Sequence, residues 1–230
     1  MKVFSHLLVF PIVVLVLHFT CIPTPAFAIN LFSIGAYNTG VDDLGTPIAQ
    51  GNIDPHYTLN GGADVFATNI VDGAWLPNSA TSRWVSTNPN GGDTNLDPSG
   101  GTVPSGFYDY EVLLDLTGID TNSFELSLLY TGDNQEGISQ NGVSVAGSLT
   151  PANDSGAQFY PITLTNQTGG GWSAGSNSIV FVVENYVGGP GANPSGLRVE
   201  FTEAVPEPSA FLLAALGVLG LLGCVGRRRR

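Results

Sequence analysis

Residues 108–116 read Tyr-Asp-Tyr-Glu-Val-Leu-Leu-Asp-Leu. Tyr108, Tyr110, Val112, Leu114 and Leu116 fall on one side of an extended chain, and Asp109, Glu111 and Asp115 on the other. Side chains alternate across a strand with a period of two, so this stretch predicts a half-buried β-strand. The pattern recurs downstream. Phe124, Leu126, Leu128 and Tyr130 repeat it, as do Tyr160, Ile162 and Leu164. Leu197, Val199 and Phe201 alternate with Arg198 and Glu200, while Ile179 to Val183 is an unbroken apolar run suited to a central strand. Val143 and Val145 follow Asn141-Gly142, a pair whose tolerance of positive φ suits a tight hairpin.

Upstream, Leu31–Tyr37, Ala63–Asn69 and Ser82–Thr87 are further strand candidates joined by longer loops. Asp133-Asn134 reads as a turn-shaping pair, because Asx side chains bond their own backbone. No long segment has a 3.6-residue period. The series predicts an all-β fold, an antiparallel β-sandwich of jelly-roll type.

Both ends of the chain differ from this middle. Residues 1–28 have the layout of a secretory signal helix. Lys2 precedes an apolar run from Leu7 to Phe19, and the segment closes on Ala26-Phe27-Ala28. Small residues at Ala26 and Ala28 fit a signal peptidase pocket, which places cleavage after Ala28. The thirteen-residue run is short of the roughly 20 needed to span hydrocarbon. At the other end, Val205-Pro206-Glu207-Pro208-Ser209 leads into sixteen uncharged residues, 210–225, and then Gly226 and Arg227, Arg228, Arg229 and Arg230. As a transmembrane helix that run would be about 24 Å long, tolerable with local thinning and arginine snorkelling. The arginines hold their end in the cytoplasm and leave the rest of the chain outside. The two prolines keep the preceding strip extended and helix-free.

The Val-Pro-Glu-Pro strip, the glycine- and leucine-rich span and the arginine cluster together resemble the PEP-CTERM sorting signal. The resemblance covers residues 205–230. It implies handling by exosortase, a membrane cysteine protease of Gram-negative bacteria that make extracellular polysaccharide. Pro206, Glu207 and Pro208 would then be the recognition strip, and the span and arginines would hold an inner-membrane precursor until processing. The expected organisation is a signal peptide at 1–28, an ectodomain at 29–204 and a sorting signal at 205–230.

Between the signals the chain retains two cations, Arg83 and Arg198, against eighteen acidic residues, a net charge of −16. A domain this acidic cannot release phosphate counterions, which excludes nucleic acid as a partner class, and polyanions would need a bridging cation. Cys21 and Cys224 both lie in the signals, and His56 is the only histidine between them. Disulfides, zinc sites built on His and Cys, and two-histidine mechanisms are thereby excluded from the middle domain.

A second resemblance covers this middle. Asp54-Pro55-His56-Tyr57-Thr58-Leu59, Ser82-Arg83-Trp84, the Tyr108–Gly118 strand, Gly132-Asp133-Asn134, Asn141-Gly142 and Gly196-Leu197-Arg198-Val199-Glu200 are similar to a recurring ectodomain of sorted proteins. That ectodomain resembles the galactose-binding-like β-sandwich of carbohydrate-binding modules.

Trp75, Trp84, Trp172, Tyr57, Tyr186 and Phe107 are the aromatics able to stack on a sugar ring, with flanking polar groups to bond its hydroxyls. Trp84 beside Arg83, Trp172 in its glycine-rich loop and Tyr186 after Asn185 form the narrowed ligand-binding set. Against this, Trp84 on a strand also fits a core anchor, and Trp172 also fits a cap on the end of the sandwich. Asp93, Asn95 and Asp97 alternate oxygen ligands as a calcium loop does, but Pro98 and Pro104 stand where an EF-hand needs glycine and glutamate. Calcium is therefore the one cofactor in view, in a loop of another kind. Gly171-Trp172-Ser173-Ala174-Gly175 matches a nucleophile-elbow pattern, yet no helix pattern and no histidine follow it. Asp109, Glu111 and Asp115 read as a solvated strand face rather than a hydrolytic pair.

The sequence thus predicts an exported, non-catalytic domain at the cell surface or in the extracellular matrix, associated with extracellular polysaccharide. Signal peptidase and an exosortase-type protease would be its processing partners. A structural surface protein that binds protein neighbours is the alternative, and a glycoside hydrolase the last choice.

Overall fold

A computed structural model describes residues 29–69, 75–91, 103–152, 154–186 and 193–206. Ten strands follow one short 3-10 turn, Leu31–Ile34: β1 (Ile53–Leu59), β2 (Ala63–Thr68), β3 (Trp84–Ser86), β4 (Gly106–Asp115), β5 (Phe124–Gln140), β6 (Val143–Ser144), β7 (Asp154–Ser155), β8 (Tyr160–Leu164), β9 (Ser176–Asn185) and β10 (Leu197–Pro206). All pairings between them are antiparallel. β4 alternates as its sequence requires: Tyr110, Val112 and Leu114 are buried, and Asp109, Leu113 and Asp115 face water. Asn141 and Gly142 both take positive φ, 49° and 77°, in the two-residue turn from β5 to β6.

The expectation of two stacked sheets is corrected. The ladder runs β10-β3-β2-β1-β4-β9-β5 and returns from β5 to β10, closing a seven-stranded barrel. The cause is the length and bending of β5. Its residues 124–132 pair with β10, and residues 135–140 pair with β9. Phe124 packs against Trp172, while the Gln140 carbonyl accepts from Gly170 N–H at 2.9 Å. Both ends of β5 therefore meet the same short loop, although a straight strand of this length would separate them by roughly 50 Å. The corner falls at Gly132-Asp133-Asn134, where the partner changes. The turn-shaping reading of Asp133-Asn134 is thus realised as a corner inside one strand.

Leu31–Tyr37 does not form the expected strand. Asn30 caps a 3-10 turn there, its side chain accepting from Phe32 N–H, and Gly35 ends it with φ of 81°. β1 in turn is organised by buried Asp54. Its carboxylate accepts backbone N–H groups from Gly40 (2.6 Å), His56 (2.8 Å) and Tyr57 (3.2 Å).

The main core fills the barrel with Tyr110, Val112, Leu114, Phe124, Leu126, Leu128, Ile179, Phe181, Val199 and their neighbours. Trp75 and Trp84 form a second, smaller cluster.

Candidate functional site

Three adjacent strands, β4, β9 and β5, turn a common outer face to solvent. Cross-strand register sets its rows. Phe107 lies opposite Glu184, and Glu184 opposite Gln135; the next row is Asp109, Val182 and Gly137, and the third Glu111, Val180 and Ser139. A groove of about 330 Å³ runs over this face, from Phe107 and Glu184 past Gly137 to Ser139 and Ser144. Small-ligand sites start near 300 Å³, so it accommodates a short ligand segment.

The segment after β6 builds the far wall. Val145 N–H donates to Ile138 O, Ile138 N–H donates to the Ser148 hydroxyl, and Thr150 exchanges two bonds with Glu136. Leu149 is left projecting, 69% exposed, over Gly137. A side chain at Gly137 would reach Leu149 Cδ1 at 3.6 Å and fill the floor.

At the mouth stands Phe107, 65% exposed. Beside it the Gln135 amide is held at both ends. Its nitrogen donates to Thr150 O at 2.7 Å, and its oxygen accepts from the Tyr186 hydroxyl at 3.4 Å. Tyr186 is itself anchored through its N–H to Asn134 Oδ1. Asp109, Glu111 and Glu184 make the surroundings acidic. Neither arginine offsets them: Arg83 bonds Asn69, and Arg198 is committed to Ser82, Pro77 O and Glu200.

The four residues of the narrowed set are not brought together. Trp84 has no exposed surface; it packs on Trp75 with centroids 4.3 Å apart, and its indole N–H donates to Leu76 O. Trp172 is 6% exposed and sets its ring against Phe124 at 70°, which makes it the cap rather than a loop platform. The glycines beside it do not loosen it. They allow the loop to pass close to the hairpin, where a side chain at Gly170 would come within 2.7 Å of Gln140 O. Arg83 is half-buried away from the groove, and Tyr186 alone of the four reaches a residue that lines it, Gln135. Phe107 belongs to the wider list of six aromatics. The signal that singles it out is its place on β4 opposite the phase of Tyr108 and Tyr110, which puts it on the solvent face with Asp109 and Glu111.

Ser173 does not have the strand–turn–helix setting of a nucleophile elbow. Its N–H and hydroxyl both meet Asn177 Oδ1, and the loop enters a strand. Asp115 accepts from the hydroxyl and N–H of Thr117, which hold its carboxyl below the usual carboxylate range. Among the described residues no group of three His, Cys, Asp or Glu side chains converges as a metal site. Ala26, Ala28, Asp93, Asn95, Asp97, Glu207, Pro208 and the arginine cluster lie outside the described residues.

Fold and site together define an acidic, all-β barrel domain with a grooved outer face. Residues 204–230 match the PEP-CTERM protein-sorting motif, so the chain carries the mark of an exported protein sorted to the cell surface. Comparison with curated proteins finds no matching relative. A solved family 35 carbohydrate binding module from an environmental isolate is similar over 61% of this chain and 88% of that one, at 11% identity and a TM-score of 0.31. Similarity that loose transfers neither a strand order nor a binding site.

Proposed function

We propose that this protein is a non-catalytic surface or matrix component that holds extracellular polysaccharide along the β4–β9–β5 face after export and sorting. The observation that carries the reading is the exposed ring of Phe107 beside the immobilised Gln135 amide and the Glu184 carboxylate. Sugar rings present C–H faces that pack on aromatic rings, while their hydroxyls need donors and acceptors at fixed positions. Ser139 and Ser144 extend the polar edge of the groove. The acidic surroundings favour neutral or amine-bearing chains over uronic-acid polymers.

Export is read as signal cleavage after Ala28, followed by retention through the transmembrane run and processing by an exosortase-type protease. A galactose-binding-like relationship would suit this reading of the barrel. Retention of residues 29–206, which contain the whole ladder, on polysaccharide from the producing cells tests it. No retention, with or without calcium, overturns it.

The alternative, a structural protein that docks protein neighbours, is favoured by β8. Its outer edge has no strand partner among the described residues, and Pro161 only partly blunts it. Crosslinking on whole cells separates the two readings by whether the adducts contain glycan or protein.

A further inference from the structure

The start of the described chain and the start of the sorting motif meet at one pole of the barrel. Ile29 N–H donates to Ala204 O at 2.9 Å. Ala204 opens the motif and is buried in the core. The ladder then continues into the motif, with Val205 opposite Glu125 and Pro206 opposite Phe124. β10 thus runs two residues past the domain boundary expected at 204. Among the described residues, Ala204, Val205 and Pro206 belong both to the sorting motif and to the fold.

We propose that this pole is the docking face for the sorting protease, which takes the strip by peeling Val205 and Pro206 off β5. The inference rests on the reading that the motif is processed proteolytically. A protease that reads backbone binds its substrate as an added strand. Val205 is already extended, but it occupies a rung opposite Glu125, and a backbone group committed to one ladder is not free for another. Ala204 O points away from β5 to Ile29, so Pro206, two residues on, also turns its polar edge away from β5 and adds no ladder bond. Val205 is half-buried and Glu125 exposed, which makes the next rung releasable.

One residue further in, the release stops. Ala204 is buried, lies opposite fully buried Leu126 and is tied to Ile29. Among the described residues the releasable tab is therefore Val205 and Pro206. The same hydrogen bond places Ile29, where cleavage after Ala28 would leave the new N-terminus, beside the tab.

A disulfide across the tab tests this. Cysteines at Val205 and Glu125, opposed in the ladder, are within bridging reach. The full-length precursor is followed in cells that carry the protease, by the mass of the chain over time. The Val205→Cys, Glu125→Cys precursor should be shortened at least tenfold more slowly than wild type, and reductant should restore the rate, which also shows that the locked chain folds. A bridge at Glu203→Cys and Ser127→Cys, further up the same ladder, should leave the rate unchanged. Shortening of the tab-locked chain at the wild-type rate, or equal slowing by the control bridge, overturns the inference alone. A wild-type chain that is never shortened overturns the sorting reading and the inference with it.

Discussion

Phe107 turns its ring to solvent and supports no core, so its removal separates binding from folding. Replacing it with alanine should weaken polysaccharide retention by about three- to tenfold, the worth of one aromatic contact. Affinity electrophoresis checks this, with an unchanged unfolding midpoint as the companion measurement. Trp84 should behave in the opposite way. Trp84→Ala empties a fully buried site and should cost about 3–5 kcal/mol in denaturant unfolding, while any retained fold keeps its groove.

Glu200 supplies a pH test at the same scale. Burial pushes its carboxyl up, but the Ser82 hydroxyl, the Arg198 guanidinium and Ser79 pull it further down, to below the ordinary glutamate range. A depressed folded pKa contributes stability that is complete above the unfolded value of about 4.3 and is lost as pH falls through the folded value. Wild type should therefore exceed Glu200→Gln in unfolding midpoint at pH 7, and the gap should close below about pH 4. A gap that stays constant down to pH 3 would remove the electrostatic account. Asp54 acts with the opposite sign, since burial raises its pKa and its contribution is lost as pH rises. It is common to both proteins and cancels in the difference.

At the scale of elements, β5 decides the architecture, and Asn141 holds its second half in place. The Asn141 amide donates to Gly171 O at 2.7 Å and to Asn177 Oδ1 at 2.8 Å, and its oxygen accepts from Ser178 N–H. Asn141 also takes the positive φ that the turn requires. Asn141→Ala should cost about 2–3 kcal/mol, from lost hydrogen bonds and backbone strain together, measured by chemical unfolding. Most of these elements were legible beforehand, because β4, β8 and β10 each carry a period-two pattern and β9 an unbroken apolar run, and both signals depend only on neighbouring residues. β1 was not legible as a strand. Asp54-Pro55-His56 breaks the alternation, and what extends the backbone there is a carboxylate bonded to Gly40, far along the chain. The 3-10 turn at Leu31–Ile34 was missed for a local reason, since its apolar run fits a strand until Asn30 and Gly35 are read as its caps.

For the whole molecule, charge is the dominant feature. With a net charge of −16 across residues 29–204, self-repulsion opposes the compact state, and salt screens it. The thermal midpoint should rise by several degrees between 10 mM and 300 mM sodium chloride, as differential scanning fluorimetry would show. A flat response would mean that the acidic groups are too dispersed to act together.

The amino-acid sequence by itself determined that the domain is antiparallel β, acidic and poor in cations, and that its end carries a sorting motif. Each of these is a local property: alternation, composition, or a contiguous run of residues. Only the tertiary structure decided that the ladder closes into a barrel, that Trp84 and Trp172 are inside while Phe107 is outside, and that the motif begins within β10. Those outcomes depend on which distant strands pair with each half of β5, and pairing partners are set by packing across the whole chain rather than by any stretch of it.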